Sequence, residues 1–257
     1  MKFLFIVQGE GRGHFTQAIT LEEMLLRNGH EVVEVLVGKS STRTLPGFFN
    51  RSIHAPVKRF ISPNFLPTAD NKRANLTKSF AYNLLRLPEY LRSMYYINQR
   101  IRETGAEVVI NFYELLTGLT YALFRPSVPY ICVGHQYLFL HRDFEFPDKN
   151  SCQLWMLRFF TRMTALRSSK KLALSFLEME QDDMNQIVTV PPLIRQEVTA
   201  IRPEKGDYIH GYMVNSGFAD SVESFHAKHP EVPLTFFWDR SDAEEVTRCL
   251  LYTSPSP

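Results

Sequence analysis

The chain opens MKFLFIVQGEGRGHFTQAITLEEMLL (residues 1–26), and the fold turns on how this stretch is read. Residues 3–7 form a short apolar run rich in branched and aromatic side chains, the pattern of a strand buried on both faces. Gly9, Gly11 and Gly13 then stand at alternate positions, followed at once by His14. From His14 to Asn28, Ala18, Leu21 and Leu25 fall at helical spacing, and Gly29 is a plausible stop. Residues 31–37 read as a second strand. Strand, glycine loop, helix and strand in that order open a parallel βαβ sheet.

The alternation continues downstream. Residues 79–102 read as mostly helical with an interruption near Pro88, residues 107–112 and 129–133 as buried strands, 154–167 as a helix and 171–176 as a strand. The fold expected is α/β: a Rossmann-like doubly wound parallel sheet over residues 1–190. VPPLIRQEVTAIRPEKGD (residues 190–207) holds three prolines and mixed charge, so residues 191–206 read as a linker. The rhythm restarts at 208–213, 218–228 and 234–238, giving an incomplete second Rossmann-like domain over 207–248. About forty residues are too few to bury a core of their own, so that domain is expected to be cut short. Residues 249–257, CLLYTSPSP, read as a sequencing-adapter artefact or a disordered tail.

Composition narrows the setting. Hydrophobic residues are 44% and charged residues 22%, as in ordinary globular proteins. Cys132, Cys152 and Cys249 are too few and too scattered for a disulfide framework or a metal knuckle, which favours a reducing, cytoplasmic setting. The run at 3–7 is shorter than a secretory core, and no stretch approaches the roughly 18–20 apolar residues of a spanning helix.

A glycine-rich turn after a first strand lets backbone N–H groups approach a ligand, and the next helix offers its positive end, so the pair suits a diphosphate or carboxylate. Dinucleotide binding wants G-x-G-x-x-G and an acidic residue closing the second strand. Here the spacing is G-x-G-x-G and the second strand ends Val37-Gly38-Lys39, so that reading fails twice.

The segment QGEGRGHFTQA (residues 8–18) resembles the loop that opens GT-B glycosyltransferases, particularly their MurG-like and UDP-glycosyltransferase-like branch. EVVINFYELLTG (107–118), VPYICVGHQY (128–137), KKLALSF (170–176) and VPPLIR (190–195) are similar to further family segments in the same order. The resemblance implies an inverting enzyme with an acceptor-binding N-terminal domain and a donor-binding C-terminal domain, working in the cleft between them without metal or other cofactor. The donor is expected to be a nucleotide-sugar, UDP-linked, and the acceptor a lipid-linked or cell-envelope glycan. Gly9, Gly11, Arg12 and Gly13 would shape the phosphate- or acceptor-facing loop. His14 matches the family histidine and is either the base that deprotonates the acceptor or a binding residue. The family's donor loop and ribose-binding Glu do not occur in this sequence, so the chain as given is expected to be inactive. A GT-B sugar-nucleotide epimerase and a non-catalytic acceptor- or partner-binding module remain as rivals.

Other candidates follow from position and charge. Tyr113 and Glu114 close a strand, where open α/β sheets place ligand sites. Glu114 either acts with His14 and the acceptor or caps a helix start; Asn111 stands where several relatives carry Asp. His135 and Gln136 follow the next strand and either line the cleft or belong to an ordinary polar loop. Between Pro56 and Arg102 nine Lys and Arg face only Asp70 and Glu89, so Arg86, Arg92 and Arg100 are expected to meet an anionic membrane or lipid-linked acceptor at the inner face of the cytoplasmic membrane. For residues 154–171 a solvated helix with a buried apolar side is expected instead. No nucleic-acid motif accompanies the charge.

Overall fold

A computed structural model describes residues 1–10, 12–39, 45–64, 66, 76–146, 152–213, 216–238 and 251–253. Gly11 of the glycine loop, Lys72 and Arg73 of the basic segment, and most of residues 239–257 lie outside them. The chain divides into two compact units, Met1–Asn64 with Leu85–Ala200, and Phe65–Leu84 with Ile201–Pro257.

The elements run β1 (Lys2–Val7), α1 (Arg12–Arg27), β2 (Glu31–Lys39), α2 (Gly47–Ser52), β3 (Val57–Ile61), α3 (Leu76–Leu85), α4 (Leu87–Glu103), β4 (Val108–Phe112), α5 (Leu115–Phe124) and β5 (Tyr130–Val133). A 3-10 turn over His135–Leu140 precedes α6 (Cys152–Thr164), β6 (Lys170–Leu174), β7 (Ile187–Val190) and α7 (Gln196–Thr199). In the second unit β8 (Ile209–Met213), α8 (Ala219–Lys228), β9 (Leu234–Trp238) and β10 (Leu251–Thr253) follow.

The first unit holds a seven-stranded sheet in the order β3-β2-β1-β4-β5-β6-β7, with every neighbouring pair parallel. Its core lies on both faces, as strand alternation requires. Leu4 and Ile6 of β1 join Tyr90, Ile97 and Ile101 of α4 and Leu116 of α5 on one face. Phe3, Phe5 and Val7 join Phe15, Ala18 and Ile19 of α1 and Phe48 and Phe49 of α2 on the other. Helices therefore cover both faces, the doubly wound arrangement expected. The second unit carries a smaller parallel sheet, β10-β9-β8. Among the described residues no helix is long and apolar enough to cross a membrane.

Several elements differ from the sequence reading, among them strand β10, which lies inside residues 249–257 and pairs with β9. The break between α3 and α4 falls at Arg86, and Pro88 sits in the first turn of α4, where its missing N–H costs nothing. VKRFI is the edge strand β3, its Lys58 and Arg59 exposed, so its charges masked its period in the sequence. LLTGLTYALF is helix α5, packed between α4 and α6, and a helix apolar on most sides reads like a buried strand. β7 is an added seventh strand, reached from β6 through residues 175–186 without a helix.

The basic segment also changes meaning. Glu34 of β2 is buried and receives Arg100 Nε at 2.8 Å and Nη2 at 3.0 Å, with Lys58 Nζ at 2.7 Å. Arg100 also reaches Glu103 at 2.6 Å. Arg100 is therefore a structural cation that neutralises a carboxylate inside the fold, and its expected place on an anionic surface is corrected. The sequence count missed Glu34 because it lies on another element. Arg86 bonds Glu89 at 2.5 Å, while Arg92 is exposed.

Candidate functional site

β1 and β4 are neighbours in the sheet, yet α1 packs on one face and α5 on the other. This is the switch point of the sheet, and doubly wound sheets bind ligands at the carboxyl ends of the strands there. Gln8 N bonds Phe112 O at 3.2 Å, tying the start of the glycine loop to the end of β4. Arg12, Gly13 and His14 form the first turn of α1, which carries no acidic residue. Its N–H groups are thus unopposed by a carboxylate of their own turn, as an anion site requires.

His14 is buried at this end of the sheet. Its ring stacks on Tyr113 with centroids 5.8 Å apart and an 18° interplanar angle, and its Nε2 lies 3.3 Å from Gln136 Nε2. Burial, helped by the charge of His135, pulls its pKa down to about 4. The imidazole is therefore neutral near pH 7, the state a proton acceptor needs. Tyr113 has a left-handed backbone with φ of 61°, an outlier for an aromatic residue. Its hydroxyl meets Thr161 at 2.8 Å, and its ring packs on Tyr137 and Phe160, so the strained residue is held on several sides. Thus Gly9, Arg12, Gly13, His14, Tyr113, His135 and Gln136 gather around one end of the sheet.

Glu114 does not join them as a partner of His14. It is fully buried as the N-cap of α5, accepting from Leu116 N at 3.1 Å and from Ser62 Oγ at 2.7 Å. Asn111 accepts from Glu114 N at 3.0 Å and donates to Thr164 O at 2.9 Å, which fixes the turn between β4 and α5. Of the two roles expected of Glu114, the structure forms the cap and shows no bond to His14 in support of the catalytic one: a carboxylate after a strand and before an apolar run is an N-cap signature. Burial pushes its pKa up to about 7, with Glu10 adding to the rise.

That shift sets a pH dependence. The folded pKa lies above the unfolded value of about 4.4, so the folded state favours the protonated acid. Its contribution is most favourable at low pH and is lost as pH rises through about 5 to 7. Glu114→Gln keeps an oxygen for Ser62 and Leu116 and removes the titration. Its denaturant midpoint should rise relative to the parent by an equivalent of roughly 2 kcal/mol more at pH 8 than at pH 5. An identical difference at both pH values would show that Glu114 does not titrate in this range.

Sequence reading missed Gln17, Ser62 and Thr161. Gln17 is signalled only by its i+3 spacing from His14, and the other two come from distant elements. Among the described residues no group of three or more His, Cys, Asp or Glu is placed to hold a metal ion.

Residues 1–256 match the family model described as glycosyl transferase family 1. No curated protein is significantly similar in sequence. Among solved structures, Arabidopsis thaliana UGT89C1 complexed with UDP-L-rhamnose superposes with a TM-score of 0.55 at 13% identity, over 92% of this chain and 64% of that one. Phytolacca americana UGT2 complexed with UDP-2-fluoro-glucose and pterostilbene gives 0.55 at 13%, over 97% and 67%. Acinetobacter baumannii MurG gives 0.46 at 11%, over 98% and 66%, too loose a superposition to carry an argument. At these identities the likeness is one of fold, and this chain spans 64% of the length of the first.

Proposed function

Because the chain belongs to glycosyl transferase family 1, we propose that the protein moves a sugar from a nucleotide-sugar donor to an acceptor hydroxyl, with His14 as the base. The observation that carries this reading is the neutral, buried His14 imidazole at the first turn of α1, at the carboxyl end of β1. The acceptor O–H gives its proton to His14 Nε2 while its oxygen bonds the anomeric carbon. The bond from that carbon to the nucleotide's diphosphate breaks, and the diphosphate leaves with the electron pair. This route asks for no metal from the residues named. Two fold neighbours are complexed with UDP-sugars, and the same donor class is proposed here. Residues 1–190 are assigned to the acceptor, and the donor to the domain that begins at residue 207.

A lipid-linked acceptor and peripheral contact with an anionic membrane complete the reading. On α4, Leu87, Leu91 and Tyr95 are exposed beside Arg92. On α6, Trp155 is 63% exposed and stacks on Phe159 at 5.3 Å, with Met156 and Arg162 also exposed. The opposite side of that helix is buried as expected, through Leu154, Thr161 and Thr164, with Phe160 partly buried. Apolar side chains beside unopposed cations are what an anionic lipid surface attracts, at about 1 kcal/mol per cation.

Transfer is tested on the product of the complete reading frame, offered UDP-sugars and a short-chain polyprenyl-diphosphate-linked glycan. UDP release that requires the glycan is expected; release equally fast without it would sink the transferase reading. Sedimentation with phosphatidylglycerol vesicles tests the surface. Arg92→Glu combined with Trp155→Ser should weaken binding about fivefold or more, each cation counting about 1 kcal/mol. Arg100→Ala should leave vesicle binding unchanged and lower stability by about 1–3 kcal/mol, since Glu34 keeps only Lys58. The opposite pattern would return Arg100 to the surface.

A further inference from the structure

His14 has a hydrogen-bonding partner missing that the chemistry of its surroundings can supply. Its Nε2 faces the Gln136 amide nitrogen at 3.3 Å, while its Nδ1 is buried and makes no formed hydrogen bond. Gln17 stands three residues along α1, on the same helix face, and its Oε1 is also buried and unbonded. Gln17 is also the side chain whose proximity favours a protonated His14 ring, which places it within reach of that ring without a formed bond. The two orphaned atoms are complementary. An amide oxygen only accepts, and Nδ1 donates when Nε2 is bare. At the other nitrogen, an amide N–H only donates, and so requires a bare Nε2. Both glutamines therefore demand the same ring tautomer. Among the described residues no carboxylate is hydrogen-bonded to the ring, and Glu114 is held by Ser62 and Leu116 through Oε1.

We propose that Gln17 and Gln136 are positioning residues that clamp His14 between two amides as the Nδ1–H tautomer, its Nε2 lone pair kept available for the acceptor hydroxyl. The catalytic meaning of this clamp rests on His14 being the base. In the free protein the Gln136 N–H occupies that lone pair, and the acceptor hydroxyl takes its place on binding. Amides carry no charge, so the imidazolium formed on proton abstraction gains no ion pair from the clamp. Tyr113 stacks on the ring as a neutral phenol, and His135 opposes a second positive charge. A ring held this way is a weak base that stays neutral well below pH 6.

The test reads the ring directly. The 257-residue chain is labelled with 15N, and the two His14 nitrogens are assigned at pH 7 from long-range proton–nitrogen correlations, without substrate. A protonated Nδ1 and a bare Nε2 are expected. Gln17→Leu should raise the Nε2–H population at least fivefold, and Gln17→Glu should raise the His14 pKa by at least one unit by placing a carboxylate beside Nδ1. Gln136→Leu should leave Nδ1 protonated, with a downfield-shifted Nε2. An Nε2–H ring in the parent, or a tautomer ratio unmoved by Gln17→Leu with Gln17→Glu leaving the pKa in place, would overturn the clamp. In the transfer assay Gln17→Glu should carry the acid limb of kcat/KM upward by the same unit. Shifted nitrogens without any transfer would sink the transferase reading and keep the clamp. Transfer with unmoved nitrogens would do the reverse.

Discussion

If His14 is the proposed base, His14→Ala is expected to lower kcat for glycosyl transfer by about 10²–10⁴-fold, the range of a lost general base, while far-UV circular dichroism and the unfolding midpoint should stay close to those of the parent. The fold tolerates the change because His14 lies at the first turn of α1, ahead of Phe15, Ala18 and Ile19, which hold that helix on the sheet. The base and binding roles separate in the kinetics. A base acts in the transition state, so kcat and kcat/KM fall together; a phosphate-binding histidine would raise KM and leave most of kcat. The pH profile gives a second check. With His14 held near 4, the acid limb of kcat/KM lies well below the 6.5 of an ordinary histidine. Stability moves in the same direction. The unfolded ring takes up a proton below about 6.5 and the folded ring does not until about 4, so the parent loses stability as pH falls between those values. His14→Ala removes that loss, and its midpoint relative to the parent should improve from pH 7 to pH 5. An unchanged kcat in a folded variant would end the catalytic assignment.

What the sequence disclosed and what it hid follow one physical division. The periods of β1, α1 and β2 are carried by residues close in the chain, and buried parallel strands are nearly pure apolar runs, so the βαβ opening was legible. The glycine loop likewise marked a tight turn between strand and helix, and His14, Tyr113 and Gln136 do meet near it. Interactions between elements far apart in the chain were not legible. Glu34 on β2 neutralises Arg100 on α4, and Ser62 after β3 reaches Glu114 after β4. No local pattern signals either pair, so Arg100 read as surface charge and Glu114 stood between chemistry and a helix cap. The edge strand β3 and the nearly all-apolar α5 were hidden for a different reason: charge blurs a two-residue period, and continuous apolarity erases a 3.6-residue one.

The glycine loop also shows how one motif combines two demands, and Gly9→Ala separates them. A Cβ on Gly9 would stand 1.7 Å from Gly38 O and 2.9 Å from Gly38 C, both backbone atoms at the end of β2. No rotamer relieves such a contact. β1 and β2 are in register as far as Val7 and Val37, and Gly38 is itself paired to Phe60 of β3, so β2 cannot yield alone. The end of β1 must lift from the sheet, taking the first turn of α1 and His14 with it. Overpacking of this kind costs about 3 kcal/mol or more, a large part of the stability of an ordinary domain. Gly9→Ala is therefore expected to lose both fold stability and transfer. Gly13 is the contrasting case, since a Cβ there meets nothing within 4 Å and the residue lies in the helix. Gly13→Ala should hold or raise stability, by up to about 1 kcal/mol from helix propensity. If that open space is where the ligand approaches the first-turn N–H groups, the same methyl should reduce transfer in a protein that is no less stable. Urea midpoints and transfer rates measured on both variants decide it. A Gly13→Ala protein with full activity would count against a ligand contact at Gly13.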